Sequence, residues 1–275
     1  MNTLQFTTSI KKEVWEYKKI FMWIPIGLAL MFIVSPLFNY LLNESSHLNW
    51  MVRFERIAAV QNMEIFSKIA FGFISVLFLP FIIIAGVVQL YYFIACMFDE
   101  RRDLSILFWR SLPVSDAISV GAKLFVGAVV LPTFFLLAAT ATFFVALLII
   151  LVGCIILSLG YDLSLWNLWT ESGFIGHLLN TWFTFIPYTL WMFPIYAWLM
   201  LVSAFAKKAP FLWAVLPIII LLLAESFFVS YLDLNTGFFS QLFMDYFSIT
   251  KDAIGFHTGD HKSITVMPFS VLSDK

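Results

Sequence analysis

The sequence predicts an all-α fold, a polytopic transmembrane helix bundle with about five spans. Hydrophobic residues make up 61% of the 275 residues and charged residues only 12%, about half the charge of an ordinary soluble domain. The charged residues also cluster between long uncharged runs, most of which reach the roughly 20 apolar residues that a helix needs to cross a bilayer. Because a water-soluble fold must place many residues in solvent, we expect lipid to surround this chain.

Dividing the sequence at its charges gives one transmembrane domain over residues 1–275, with spans expected at 21–42, 70–97, 121–158, 178–205 and 210–231. The third uncharged run, Leu124–Tyr161, is long enough for one helix or for a tight hairpin of two. Its middle, Ala138–Phe144, has no Pro, Asn or Gly turn signal. This favours one long helix that is kinked at Pro132 or Gly153.

The charges beside the spans predict the orientation. With a cytoplasmic N-terminus, ten Lys and Arg residues fall in inner segments and six in outer segments, as the positive-inside rule requires. We therefore expect a multi-pass protein of a cell membrane, with a bacterial inner membrane as the setting. Residues 232–275 then lie outside, and their aromatic part, 238–247, is expected to form a short helix at the outer interface.

An amphipathic helix is predicted at residues 6–19, ahead of the first span. Apolar side chains recur at helical spacing over residues 6–21 and form one face; they are Phe6, Ile10, Val14, Tyr17 and Phe21. Lysines lie mostly on the other faces, which is typical of a helix at the membrane surface. Two roles stay open, a topology anchor or a contact with a partner.

The connection between the second and third spans, residues 99–116, is the most specific segment. Five consecutive charges, Asp99–Asp103, end the second span. A short apolar piece follows, Pro113 closes it, and Ser115 or Asp116 can cap the third span. The apolar piece is too short to cross a membrane and too apolar for water. We expect it to dock, onto the membrane surface or into a cleft of a cytoplasmic partner.

This connection resembles the cytoplasmic loop of permease subunits in type 2 ATP-binding cassette (ABC) exporters. In that family a stretch of the form E-R-R-x-x-(S/T)-x-x-x-W-x-S-L-P-V-S links the second and third spans, and a Lys enters the third. The matching residues are Glu100, Arg101, Arg102, Ser105, Trp109, Ser111, Leu112, Pro113, Val114, Ser115 and Lys123. The resemblance extends to the interfacial helix, the span spacing and the aromatic outer segment.

Two departures from the family pattern stand out. Such permeases normally have six spans, and a sixth is absent here, which truncation or a C-terminal segment outside this sequence would explain. The Gly that often follows the charge run is Leu104 in this chain, a departure that concerns only the local loop geometry.

The resemblance implies a permease subunit that couples ATP hydrolysis by a separate ATPase subunit to substrate export. The coupling residues would be Asp99, Glu100, Arg101, Arg102, Asp103, Ile106, Trp109, Arg110, Leu112 and Pro113. A second permease subunit, identical or related, would complete the membrane part. ATP and Mg would belong to the ATPase, because the chain has no G-x-x-x-x-G-K-[ST] motif. We therefore expect no enzyme activity and no cofactor in the chain itself.

The sequence supports other classes of function less well. An ABC-type complex that transmits a signal across the envelope without transport would share the same loop and stays an alternative. An intramembrane enzyme would need paired catalytic groups, and Glu225 is the only acidic residue within a predicted span. No basic aromatic module predicts a nucleic-acid partner. A metal site at His257–His261 is disfavoured, because Gly255 and Gly259 indicate a loop.

Two polar residues within spans are candidates for a substrate pathway or a subunit interface, Glu225 and Gln89. A carboxylate that faces lipid costs several kcal/mol, so Glu225 should face a cavity or an interface. The alternative is that Glu225 lies near the outer end of its span and reaches interfacial water.

Overall fold

The computed structural model describes residues 3–42, 63–104, 115–160, 173–232 and 237–253. Every regular element in these ranges is helical. The α-helices are α1 Thr3–Glu16, α2 Ile24–Leu42, α3 Met63–Ala95, α4 Phe98–Arg102, α5 Asp116–Phe125, α6 Leu131–Gly160, α7 Phe174–Trp191, α8 Phe193–Phe205, α9 Pro210–Tyr231 and α10 Phe238–Ala253. Two π-helical turns, Lys19–Trp23 and Val126–Val130, lead into α2 and α6.

Five helical stretches in the described ranges are long and apolar enough to cross a membrane. They are Lys19–Pro36, Lys68–Arg102, Asp116–Ile156, Phe174–Phe205 and Pro210–Tyr231. The prediction of an all-α bundle with five spans is confirmed. Large apolar side chains are exposed along all five stretches, and a contiguous apolar surface of this kind is typical of a lipid or protein contact. The chain is therefore a multi-pass helical membrane protein.

The third span is one continuous helical stretch rather than a hairpin, as the missing turn signals predicted. It runs from Asp116 to Gly160 through the π turn at Val126–Val130. Pro132 follows this turn, and a proline removes one backbone donor and displaces the carbonyl four residues before it. The irregular turn therefore lies beside Pro132, whereas Gly153 lies within regular α6. At about 1.5 Å per residue, this stretch is about twice the length of the hydrocarbon core.

The fourth span is interrupted in its middle, which the sequence did not predict. α7 ends at Trp191 and α8 begins at Phe193, with Met192 between them. Pro194 stands at the first turn of α8, where its missing N–H has no helical partner to lose. A proline at this position interrupts the backbone hydrogen bonding of α7, and the span continues as a new helix.

The helices group into two compact units. The first comprises Met1–Tyr92 and Arg110–Phe183, and the second comprises Phe93–Trp109 and Thr184–Lys275. In the first unit α1 packs along α5, and α2 packs along α6. Its core mixes aliphatic and aromatic side chains, and four phenylalanines in it are almost wholly buried, Phe78, Phe81, Phe135 and Phe143.

The second unit contains α4, α8, α9 and α10. α8 contacts α4 and α9, and α9 also contacts α10. Phe93 stacks on Tyr196 of α8, with ring centroids 4.5 Å apart. The indole N–H of Trp198 donates to the Ala214 carbonyl of α9, at 3.1 Å. Ala214 is the one residue of α9 that is buried, so most of the surface of this span is exposed or half-buried.

Candidate functional site

The charged turn α4 is fixed to the end of α8 by a buried serine. The Ser203 hydroxyl oxygen accepts hydrogen bonds from the backbone N–H groups of Met97 and Phe98, at 3.1 and 3.0 Å. Ser203 is fully buried. Because the first N–H groups of a helix have no partner within it, this hydroxyl does for α4 what an N-cap side chain does.

Arg101 makes the reverse connection, from α4 to the last turn of α8. Its Nη2 donates to the carbonyl oxygens of Ser203 and Ala206, at 2.7 and 2.8 Å. The last carbonyls of a helix lack partners, and a cation there also interacts favourably with the helix dipole. Arg101 is thus half-buried and bound within its own chain. α4 and α8 hold each other by reciprocal capping.

The other charges of this turn differ in exposure. Arg102 and Asp103 are exposed, Asp99 is half-buried and Glu100 is buried. Arg102 lies 3.3 Å from the Asp99 carboxylate and 3.0 Å from that of Asp103. Ion pairs of exposed side chains contribute little net free energy, so they can exchange partners readily. The charges available to another molecule are therefore those of Arg102 and Asp103, with Asp99 beside them.

Leu104 ends the charged turn in a left-handed conformation, with φ of 56°. The Leu104 N–H donates to the Arg101 carbonyl oxygen at 3.3 Å, and the Asp103 N–H donates to the Asp99 carbonyl oxygen at 2.9 Å. A left-handed residue just after a helix is usually Gly, because a Cβ is disfavoured there. The backbone has the geometry that a glycine would favour, although the residue is leucine.

The rest of the predicted coupling segment, residues 105–114, lies outside the described residues. It contains Ile106, Trp109, Arg110, Leu112 and Pro113. The description resumes at Ser115, which occupies the predicted N-cap position of α5, but its hydroxyl makes no capping hydrogen bond. The Ser115 carbonyl accepts from the amides of Ile118 and Ser119 at 3.0 and 3.2 Å.

A buried ion pair connects α1 to the third span in the first unit. Lys123 Nζ lies 2.7 Å from Glu13 Oε1, and each side chain is only 3% exposed. The Tyr92 hydroxyl lies 3.1 Å from Glu13 Oε2 and 3.3 Å from the Lys123 carbonyl oxygen, so its proton can go to either. Lys12 approaches the same carboxylate at 3.6 Å. Buried charges need partners of this kind to offset the loss of hydration.

The predicted apolar face of α1 borders this ion pair. Tyr17 packs edge-on against Tyr92, with ring centroids 5.0 Å apart, and Phe6 contacts Phe125 at 5.9 Å. α1 thus packs on the third span as well as presenting exposed lysines such as Lys11. Glu13 was missed in the sequence, yet it lies on the apolar face, three residues after Ile10 and four before Tyr17. A single charge on an apolar face is the signal that could have found it.

Gln89 is buried in the first unit and binds backbone. Its Nε2 donates to the Gly127 carbonyl at 3.0 Å, within the π turn of the third span. A π turn disturbs the regular i to i−4 hydrogen bonding of a helix, and a side-chain amide is a suitable partner for a carbonyl there. In this structure Gln89 has the position of a packing residue between α3 and the third span.

Glu225 caps α10. Its two carboxylate oxygens accept hydrogen bonds from the backbone N–H groups of Phe239 and Ser240, the latter at 2.7 Å. These are the second and third residues of α10, the amides that an N-cap side chain normally binds. The N-cap position itself is Gly237, where a Cβ would lie 2.9 Å from Glu225 Cδ and 2.6 Å from Ser240 Oγ. Glu225 of α9 supplies the acceptor that Gly237 lacks.

The far half of α10 meets the break in the fourth span. Tyr246 stacks on Trp191 with ring centroids 5.0 Å apart, and its hydroxyl donates to the Trp191 carbonyl. Burial raises the pKa of the Tyr246 phenol. The aromatic segment 238–247 is helical, as predicted, and the helix contacts α9 and the end of α7.

The possible metal ligands His257 and His261 lie outside the described residues. No family model, no curated protein and no solved structure matches this chain.

Proposed function

We propose that the chain is the membrane-spanning permease subunit of an ATP-driven ABC exporter in a bacterial inner membrane, with its N-terminus in the cytoplasm. In this proposal a separate ATPase subunit binds ATP and Mg and contacts residues 99–116. A second permease subunit, identical or related, completes the path for the substrate. The motif between Glu100 and Lys123 supports the class of protein, and the export direction follows from the same resemblance.

The observation that carries the proposal is the reciprocal capping of α4 and α8. Four hydrogen bonds connect the charged turn to the end of the fourth span, through Ser203 and Arg101. Hydrogen bonds that involve an ionised group are stronger than neutral ones. A displacement of α4 by a partner would therefore be transmitted to α8. A coupling element requires such a connection between a partner-facing turn and a membrane helix.

Leu104 departs from the family pattern, but its backbone conformation supports the resemblance. The family often has Gly at this position, and here the backbone adopts a φ of 56°, which glycine tolerates best. A physical reason for the family's glycine is thus present in this chain. Leu104 costs local strain of about 1–2 kcal/mol in this conformation.

The Glu13–Lys123 pair supplies a second connection in the proposed mechanism. It joins α1 to the N-terminal part of the third span, which begins directly after the segment that the ATPase would contact. Closure of the ATPase pair on ATP would displace residues 99–116, and α1 would move together with the third span. Switching by rigid movement of packed helices is a common way to change access to a path.

Charge reversal at Arg102 tests the proposal. Arg102 is exposed, so Arg102→Glu should leave the fold intact while it repels the acidic partner groups that we expect on the ATPase. The complex is isolated in mild detergent from the native membrane, and ATP turnover and subunit ratio are measured. We expect loss of the ATPase or of its stimulation by the membrane subunit. Lys208→Glu, at an exposed lysine after α8, is the matched control and should retain both.

A variant Arg102→Glu that retains the ATPase and couples normally would remove this turn from the coupling surface. Stimulated ATP turnover without movement of any substrate in reconstituted vesicles would instead favour the signalling alternative over export.

A further inference from the structure

An apolar groove lies between the first span and α6. Its volume is about 170 Å³, and it is lined by Phe21, Met22, Pro25, Ile26, Phe134 and Ala138. All six side chains are apolar, and Met22 and Ile26 are exposed at its edge. The groove is partly open, and no polar side chain lines it. Its ligand should therefore be a flexible apolar chain rather than a polar solute.

One end of this groove is positively charged. Lys18 and Lys19 closely precede Phe21 and Met22 of the groove lining in the chain, so both lie at the N-terminal end of the groove. Lys18 and its neighbour Lys19 are both exposed. Lys18 Nζ lies 5.1 Å from the Trp15 ring centroid, a cation–π contact. An anionic group at this end would meet two ammonium groups.

Two exposed tryptophans mark this region as the boundary between headgroups and hydrocarbon. Trp15 is 72% exposed and Trp23 is 70% exposed, on either side of the lysine pair. Tryptophan is enriched at the headgroup level of membranes because its ring is apolar and its N–H is polar. The lysines thus lie at headgroup depth and the groove runs from there into the hydrocarbon.

We propose that this groove binds an anionic phospholipid, with part of one acyl chain in the groove and the headgroup phosphate against Lys18 and Lys19. The apolar lining favours the chain, and the two lysines favour a negative headgroup, since a basic residue at the surface adds about 1 kcal/mol of attraction. This inference is independent of any ATPase partner, because it uses only residues of α1, α2 and α6 and of the chain between α1 and α2.

Native mass spectrometry of the full-length chain tests the proposal. The protein is purified in detergent and titrated with phosphatidylglycerol or phosphatidylcholine of identical acyl chains. We expect the wild type to retain phosphatidylglycerol preferentially. The double variant Lys18→Gln, Lys19→Gln should bind phosphatidylglycerol about fivefold more weakly for each lysine removed. Its affinity for phosphatidylcholine should not change. Lys207→Gln, Lys208→Gln is the matched control and should behave as the wild type.

Filling the groove tests the chain-binding part separately. Ala138→Phe should lower the retention of both lipids, because its ring occupies the groove. Ala141→Phe adds the same ring to an exposed position of α6 and should have no effect. If Ala138→Phe lowers the thermal stability in detergent, Ile26→Trp gives a second filled groove. Unchanged lipid retention in the filled variants, or an unchanged preference for phosphatidylglycerol in the Lys18 and Lys19 variant, would overturn the proposal.

Discussion

The ammonium of Lys123 lies 2.7 Å from the carboxylate of Glu13, and both side chains are buried. This pair joins a helix that the sequence places at the membrane surface to the beginning of the third span. Loss of hydration makes a buried ion pair costly unless further polar groups surround it. The Tyr92 hydroxyl is such a group, at 3.1 Å from Glu13. α1 is therefore an integral part of the first unit.

Removing one member of this pair should strongly destabilise the first unit. Lys123→Met removes the near counter-charge of the buried Glu13 carboxylate and leaves only Lys12, at 3.6 Å; breaking a buried pair in this way costs up to about 3–5 kcal/mol. We expect a lower free energy of unfolding in detergent, measured by chemical denaturation.

The double variant Glu13→Leu, Lys123→Met is the control for this experiment. It replaces the pair by apolar side chains of similar volume, which is often neutral or stabilising. A single variant as stable as the wild type would contradict the buried pair, and so would a double variant no more stable than the single one.

Two neighbouring arginines should respond differently to the same substitution. Arg101→Met removes two hydrogen bonds from an ionised donor to the carbonyls of Ser203 and Ala206, each worth about 1.5–3 kcal/mol. Arg102→Met removes exposed ion pairs, worth about 0–1 kcal/mol. We expect a clear loss of thermal stability for Arg101→Met and almost none for Arg102→Met. Equal losses in the two variants would argue against the capping of α8 by Arg101.

The cap on α10 should be sensitive to Glu225→Gln. A carboxylate accepts at both oxygens, whereas the amide of Gln accepts at one, so the amide of Phe239 or of Ser240 loses its partner. Loss of an N-cap hydrogen bond costs about 1 kcal/mol, and we expect hydrogen exchange at the amide that is left without an acceptor to become about fivefold faster. Gln241→Ala, at an exposed residue of the same helix, should leave exchange at both amides unchanged. Equal protection in wild type and Glu225→Gln would show that Glu225 does not cap α10.

Leu104→Gly should stabilise the chain. The left-handed conformation with φ of 56° is disfavoured by about 1–2 kcal/mol for a residue with a Cβ. Glycine removes this cost, although its greater freedom in the unfolded chain offsets part of the gain. We expect a rise in the unfolding midpoint for Leu104→Gly and none for Leu104→Ala, which keeps the Cβ. A fall in both would mean that the leucine side chain contributes packing at this turn.

The five spans could be predicted from the sequence, because a long stretch of apolar residues is enough to predict a membrane-spanning helix. Charge-free runs as long as the bilayer is thick predict helices directly, and the missing turn signal at Ala138–Phe144 correctly favoured one long third helix. The break at Met192 was missed, although Pro194 follows it closely. A proline can kink a helix, end it or be accommodated within it, and Pro36, Pro80 and Pro187 all lie inside helices here.

The contacts of the polar residues were much harder to predict, because they depend on which helices become neighbours. Arg101 was expected to face an ATPase, and in this structure it binds the end of α8, more than a hundred residues away in the sequence. Glu225 stood out as an isolated charge, but its partners are backbone amides, which carry no sequence signal. Glu13 alone had a readable signal, as a charge on an apolar helix face.

Cross-linking at the coupling segment tests the central claim most directly. A photoreactive amino acid is placed at Trp109 in the full chain, expressed in its native membrane, and the cross-linked protein is identified by mass spectrometry. A permease subunit predicts a cross-link to a subunit that carries a G-x-x-x-x-G-K-[ST] motif. The same photoreactive residue at Arg53, in a predicted outer segment, should give none. If no protein with this motif is captured at residue 109 above the level at residue 53, the chain is not coupled to an ATPase through this segment.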